Sequence, residues 1–479
     1  MIGRHIAYYF GSKGLAAILN VVTMALFVRM GGAETYGGFV LFTAIATIVY
    51  GLALQWLRFS FFACYREDAG PGFIFAYLGT QAMGLVLVFA GLAIAVSAGF
   101  VRPTEALATA FLVAGLAGYD ALHEIARTRL HAEIVALGVL VRSALMLALG
   151  ILALVGFGSA LSLAVAVGFA NIGAAVALST SIWRLGAWTW NGADARRLLS
   201  YGRPLVPAFG FEAAGNQLDR LLLARFADLA ETGRYGAVSD LFRQVLIVVA
   251  EAISGAYMAI VRTHVIAGEQ EHARAVLGQA FLAYVALLTF APLGFLRFSV
   301  PILDTVFGAQ LRVAIEPALP LIVASSVVAV LRGYYFGQVI HIVQQSRLLL
   351  ISTAVHAVTV GVVGLIAIPR YGIEGAAGSL LLGNVLGCAV FIVAWRSHFV
   401  MRLPYLEALS VAAFGVAAYV LSGLTLQALG DTVSGFAAGV AIFALAALAA
   451  ARLYNLLSMN DMVARAWDML VAARQNESR

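Results

Sequence analysis

The stretch Tyr201–Gly236, YGRPLVPAFGFEAAGNQLDRLLLARFADLAETGRYG, decides how the rest of the chain is read. Pro204 and Pro207 open a helix after an arginine-rich loop, a place where proline is well tolerated. That helix carries Glu212, Asn216, Gln217, Asp219 and Arg220, an unusual density of polar groups for an apolar segment. It closes on Leu223-Ala224-Arg225, followed by Glu231-Thr232 and Tyr235-Gly236. The first apolar segment closes in almost the same way, on Phe27-Val28-Arg29, then Glu34-Thr35-Tyr36-Gly37. Tyr36 and Tyr235 are 199 residues apart. One unit of that length is therefore written twice, and an internal repeat of this kind outranks local detail in assigning a fold.

Composition sets the solvent. The 479 residues are 62% hydrophobic and only 11% charged, with a mean hydropathy of +0.94. A water-soluble domain could not bury so much apolar surface, and a disordered chain has the opposite composition. Strands of a membrane barrel alternate polar and apolar and give a much weaker signal. Runs near the length needed to cross a bilayer, about 20 residues, predict fourteen helices. They cover 8–30, 38–61, 73–97, 105–123, 134–156, 160–183, 205–225, 235–260, 276–298, 315–337, 347–368, 374–396, 405–427 and 433–456. The expected fold is an all-α polytopic membrane protein. Two six-helix lobes, 1–200 and 201–400, repeat in parallel, two further helices follow over 401–456, and 457–479 form a cytoplasmic tail. An even number of crossings per copy gives both copies the same orientation, so a pseudo-twofold axis runs along the membrane normal.

The net charge of +6 is carried by 29 arginines and one lysine, Lys13. With the N-terminus inside, 17 of these 30 residues fall in cytoplasmic segments, 7 in outer segments and 6 within helices. That bias places both termini in the cytoplasm and the chain in the cell inner membrane, and it is not a nucleic-acid footprint. The run after Arg4 is broken by Lys13 and Asn20, so it reads as an uncleaved first helix rather than a signal peptide. Cys64 and Cys388 form no metal-ligand or disulfide pattern, no cofactor motif is present, and the loops at 184–203 and 299–314 are too short to house an enzymatic domain.

Ionisable groups at membrane depth are costly and mark cavities or pairs. Lys13, Arg58 and Arg243 are the candidate cations for an anionic ligand, since arginine offers paired donors to phosphate oxygens. Asn216 and Gln244 are candidate cavity hydrogen-bonding groups beside them. At 100° per residue Asp240, Gln244 and Glu251 share a helix face flanked by Arg243, and Glu212, Asn216 and Asp219 share another. Two such faces either line one cavity or neutralise each other. Glu212, Asp240 and Glu251 are candidate coupling carboxylates, while Asp219-Arg220 reads as an ion pair or helix-end anchor. Asp120, His123, Glu124 and Arg127 follow i, i+3, i+4, i+7, one stripe at a cytoplasmic mouth. It is either a gate of exchangeable ion pairs or a solvated helix end.

Four segments resemble the polysaccharide transporter family, the oligosaccharide-lipid flippases of the superfamily that also holds multidrug extruders and the lipid II flippase. They are Leu26–Gly37, Asp219–Phe226 running on to Tyr235, Pro301–Gly308 (PILDTVFG) and Pro369–Ala377 (PRYGIEGAA). The resemblance implies translocation of an undecaprenyl-pyrophosphate-linked oligosaccharide between leaflets, for exopolysaccharide, O-antigen or capsule synthesis. It further implies membrane lipid, a polysaccharide polymerase and a chain-length regulator as partners, and arginines in the cavity on the same helices as in the lipid II flippase. A cation-coupled multidrug extruder is the alternative within the superfamily. A membrane polymerase would need a large outer loop, and none is present.

Overall fold

The computed structural model describes residues 2–66, 70–183, 185–186, 188–337, 346–398, 403–430 and 432–456. Among them every regular element is helical, as backbone in lipid requires when it must satisfy its hydrogen bonds internally. Eleven continuous segments are long and apolar enough to span a bilayer. Two of these, Gly11–Cys64 and Arg347–Ala394, each hold two crossings. With the interrupted helix described below, fourteen crossings result.

The first crossing runs into the second without a loop. Helix α1 (Ile2–Tyr50) reverses at Gly32, whose φ of 77° and ψ of 168° lie outside the range of side-chain-bearing residues. A π-helical turn, Gly51–Gln55, then joins α1 to α2 (Trp56–Cys64). Such a turn rotates everything after it, and turns of this kind concentrate at functional sites; here it sets the direction of Arg58. Helices α3 (Pro71–Ser97), α4 (Pro103–Thr128), α5 (Ala132–Phe157) and α6 (Ala160–Ser179) complete the first copy. The segment expected as a loop after α6 contains α7 (Gly192–Gly202), which turns Ala195, Leu198 and Gly202 inward and Arg196, Arg197 and Tyr201 outward.

The helix predicted over 205–225 is broken. It consists of α8 (Val206–Gly215) and α9 (Leu218–Phe226), parted at Asn216 and Gln217. Helix α10 (Leu229–Ile266) follows. Its 38 residues span about 57 Å at 1.5 Å per residue, so it runs well past a hydrocarbon core of about 30 Å. After α11 (Gln270–Arg297), the loop expected near 299–314 holds α12 (Ser299–Val306) and α13 (Ala309–Ile315). Helix α14 (Leu319–Val330) ends in a second π-helical turn, Leu331–Phe336. Helix α15 (Ser346–His398) reverses at Gly372, at φ 51° and ψ −123°. Helices α16 (Tyr405–Leu429) and α17 (Val433–Leu453) form a closing hairpin. The expected tail, 457–479, lies outside the described residues.

Contacts divide the chain into two compact units. The first holds residues 1–244, 304–325 and 345–390; the second holds 245–303, 326–344 and 391–479. In the first, α1, α4, α5 and α6 form the core. In the second, α16 and α17 pack on α11. There Arg297 donates to the Tyr419 carbonyl at 2.9 Å and lies 3.8 Å above the Tyr419 ring, beside an aromatic cluster of Phe298, Phe436 and Phe443. The Tyr284 hydroxyl reaches two main-chain carbonyls, Ala250 at 3.0 Å and Tyr334 at 3.1 Å, the latter within the π-helical turn.

Candidate functional site

The stripe on α4 and the arginine on α2 prove to be one cluster. Arg58 lies between two carboxylates, with Nη1 3.4 Å from Asp120 Oδ2 and Nε 3.7 Å from Glu124 Oε2. Asp120 and Glu124 are one helical turn apart, which brings both to the same neighbour. The Tyr50 hydroxyl donates to Asp120 Oδ2 at 2.7 Å. Arg127 donates to Glu124 through Nη2 at 2.7 Å and Nε at 3.3 Å, and the Thr128 hydroxyl adds a third bond at 3.1 Å. The Glu124 side chain is only 2% exposed, whereas those of Arg58 and Arg127 are 31% and 43% exposed. The anion is thus the buried partner and the cations carry their heads outward. His123 stacks near Tyr119, with ring centroids 5.6 Å apart, and lies within the fields of Asp120, Arg58, Arg127 and Lys13. Lys13 itself is half-buried.

Arg142 belongs to the same neighbourhood and was not singled out from the sequence. Its Nε donates to Asn171 Oδ1 at 2.7 Å, and its guanidinium carbon lies 4.7 Å from the centre of the Tyr119 ring. Among the described residues no carboxylate stands within ion-pair distance of it. Two polar residues, Arg142 and Asn171, interrupting the apolar runs of consecutive helices were the available signal. Tyr50 offered none, because a tyrosine in an apolar run is unremarkable. Arg58 and Arg127 thus meet Asp120 and Glu124, with Arg142 over the Tyr119 ring and Lys13 in electrostatic range of His123.

The second copy is arranged differently. Asn216 Nδ2 donates to Glu212 Oε1 at 2.9 Å, beside the break between α8 and α9. Asp219 is 2% exposed and accepts the Tyr235 hydroxyl at 2.6 Å and the Arg220 backbone N–H at 2.9 Å. The expected Asp219–Arg220 side-chain pair is not what forms. Successive side chains on a helix point about 100° apart, and the Arg220 guanidinium instead grips both oxygens of Asp240, Nη1 to Oδ2 at 3.1 Å. Of the two readings open to these helix faces, neutralisation holds at this pair. Arg243 acts electrostatically on Asp219. Gln244 lies one turn beyond Asp240 and is half-buried, as is Glu251, which sits further along α10 in the second unit. Within the first unit Arg220 thus joins Asp240, and Asp219 lies in the fields of Arg220 and Arg243. Among the described residues no group of His, Cys, Asp and Glu side chains is placed to hold a metal ion.

The fold and these groups define an all-helical polytopic membrane protein with ionisable side chains facing one another within its spans. Comparison with solved structures gives that fold a particular likeness. The lipid II flippase MurJ in an inward closed conformation matches with a TM-score of 0.69 at 12% identity, over 95% of this chain and 99% of that one. An inward-facing multidrug resistance MATE family transporter of the MOP superfamily matches with a TM-score of 0.60 at 13% identity, over 80% and 94%. A MOP superfamily transporter from Pyrococcus furiosus, described as having a binding pocket of reversed polarity, matches with a TM-score of 0.52 at 15% identity, over 82% and 94%. At these identities the likeness is one of fold. No protein-family model matches the sequence, and no curated protein does.

Proposed function

We propose that this chain is a flippase that carries undecaprenyl-pyrophosphate-linked oligosaccharide repeat units across the cell inner membrane by alternating access. The observation that carries the reading is the set of cations in the first copy: Arg58 and Arg127 on Asp120 and Glu124, with Arg142 over the Tyr119 ring and Lys13 in electrostatic range of His123. A pyrophosphate entering from the cytoplasmic leaflet meets guanidinium groups already oriented by carboxylates and by Tyr50. It can replace those carboxylates as the acceptor, so the ion pairs of the mouth reform around the ligand. Arg243, Asn216 and Gln244 are further groups for the pyrophosphate and the cavity around it. The lobes 1–200 and 201–400 rock about the site while the polyprenyl tail stays in lipid. Residues 401–456 are accessory helices, both termini are cytoplasmic, and a polymerase and a chain-length regulator receive the product.

The sidedness of the lipid-linked oligosaccharide in a deletion strain, read by labelling spheroplasts from outside, tests this. Intermediate held on the inner leaflet, released by the wild-type gene but not by Arg58→Ala or Arg142→Ala, is the expected result. Normal arrival on the outer leaflet in the deletion strain would remove the flippase reading. Asp219, buried and held by the Tyr235 hydroxyl and the Arg220 N–H, favours as second reading a cation-coupled drug extruder. Drug sensitivity of the deletion strain with normal sidedness is its signature.

A further inference from the structure

We infer that the end of the bundle at which α1 reverses is sealed by a glycine-on-glycine contact between the two sequence copies, locked by Arg29, and that this seal parts in each transport cycle. The second half of the statement rests on the alternating-access reading above. The contact itself is reciprocal. A Cβ placed on Gly37 of α1 would collide with the carbonyl oxygen of Leu229 on α10, and a Cβ placed on Gly233 of α10 would collide with that of Ala33 on α1. The backbone nitrogens of Gly233 and Gly37 lie 2.9 and 2.8 Å from those same Cβ positions. Only two glycines let helices approach this closely. Both are buried, as are the equivalent residues Tyr36 and Tyr235 beside them.

Arg29 fastens the same end. Its Nε donates to the Val306 carbonyl at 2.9 Å, and its Nη2 donates to the carbonyls of Thr305 at 2.6 Å and Asp304 at 3.1 Å. These carbonyls close α12; that of Asp304 also accepts the Gly308 N–H at 3.1 Å, and all three carry the negative end of the helix dipole. At the reversal of α15, Glu231 Oε2 lies 3.1 Å from the Cβ position of Gly372. The four segments that carry the family resemblance thus meet at one place. The contacts of Gly37, Gly233 and Arg29 run through main-chain carbonyls. Carbonyls released from such a contact can return to water, so the closure is reversible. The arginine count assigns this end to the outside.

A cysteine pair tests the seal in the full-length protein, with Cys64→Ser and Cys388→Ser as background. The Cβ position of Gly236 lies 3.6 Å from Val40 Cβ, with the two Val40 methyls nearer still at 3.0 and 3.2 Å. Val40→Cys removes those methyls, and the separation lies within the usual disulfide range of about 3.5–4.5 Å. Oxidation of Val40→Cys/Gly236→Cys in proteoliposomes should cross-link the pair and arrest movement of lipid-linked oligosaccharide, with reductant restoring it. A cross-linked protein that still transports at the reduced rate overturns the inference and leaves the flippase reading intact.

A second readout needs no substrate. Val40→Cys alone, buried beneath the seal, should react with a membrane-impermeant maleimide about tenfold faster when Gly233→Ala or Arg29→Gln is added, the rise expected when a minor open state grows from the per-cent level. Arg29→Gln leaves the backbone contact untouched and so guards against misfolding of the glycine variant. If the reduced protein moves no lipid-linked oligosaccharide, the flippase reading fails by itself. The seal then stands or falls on whether labelling accelerates.

Discussion

Replacing Arg220 by methionine isolates the scaffold of the second copy. The Arg220 side chain is 8% exposed and Asp240 is 35% exposed, and the pair is bidentate. Removing one member of a buried pair costs about 3–5 kcal/mol because the other charge is left behind. Here two carboxylates lose their cation. Asp240 can take up water, but Asp219, at 2% exposure, cannot. The expected loss therefore falls within this range, about 3–5 kcal/mol, or about 6–10 °C at roughly 2 °C per kcal/mol. Asp240→Asn keeps one acceptor oxygen and should cost only about 1–2 kcal/mol. The double variant Arg220→Met/Asp240→Asn removes both charges and should recover part of the loss, a coupling of about 2 kcal/mol. Thermal denaturation in detergent, followed by loss of the monodisperse species, measures all three. Arg220→Met melting within about 1 °C of wild type, or strictly additive single changes, would refute the reasoning.

Three further expectations follow from the geometry. Tyr50→Phe removes the hydroxyl donor to Asp120 and should lower stability by about 1 kcal/mol; transport should fall more than this, since Arg58 loses its fixed acceptor, and a proportionate fall would argue for a purely structural tyrosine. Arg297→Ala strips both the Tyr419 carbonyl bond and the cation–π contact, worth about 1–3 kcal/mol together, and limited proteolysis should then cut within α16 and α17 first. Outside the spans, burial and then the neighbouring Arg129 guanidinium hold the His131 imidazole below its ordinary value of 6.5. Its contribution to stability is present above that pH and lost as pH falls through the lowered value, so His131→Asn should flatten the acid limb of the melting profile.

Most of the architecture is legible in the chain because lipid forces backbone into apolar helices of bilayer length. That pressure sees only the membrane. It missed the polar extension of α10 to Ile266, the start of α11 at Gln270, and α7 within the expected loop. It also read 31–37 as a connection, where a single glycine reverses the chain. The break at Asn216–Gln217 lay inside a region already marked as polar, yet its place could not be read.

For the candidate site, residue types and helical phase picked out Arg58, Asp120, Glu124, Arg127, Asp219 and Asp240 as ionisable groups requiring partners. Spacing along one helix also put Asp120 and Glu124 on a shared face. Which cation met which anion was decided only by packing. Arg58 joins carboxylates 62 and 66 positions away on another helix, and Arg220 turns from its neighbour Asp219 to Asp240 because adjacent helical side chains diverge. The repeat was written in the sequence through Tyr36-Gly37 and Tyr235-Gly236. That Gly37 and Gly233 press backbone against backbone was not, because a glycine records the absence of a side chain, and what comes to occupy that space is settled by the tertiary fold.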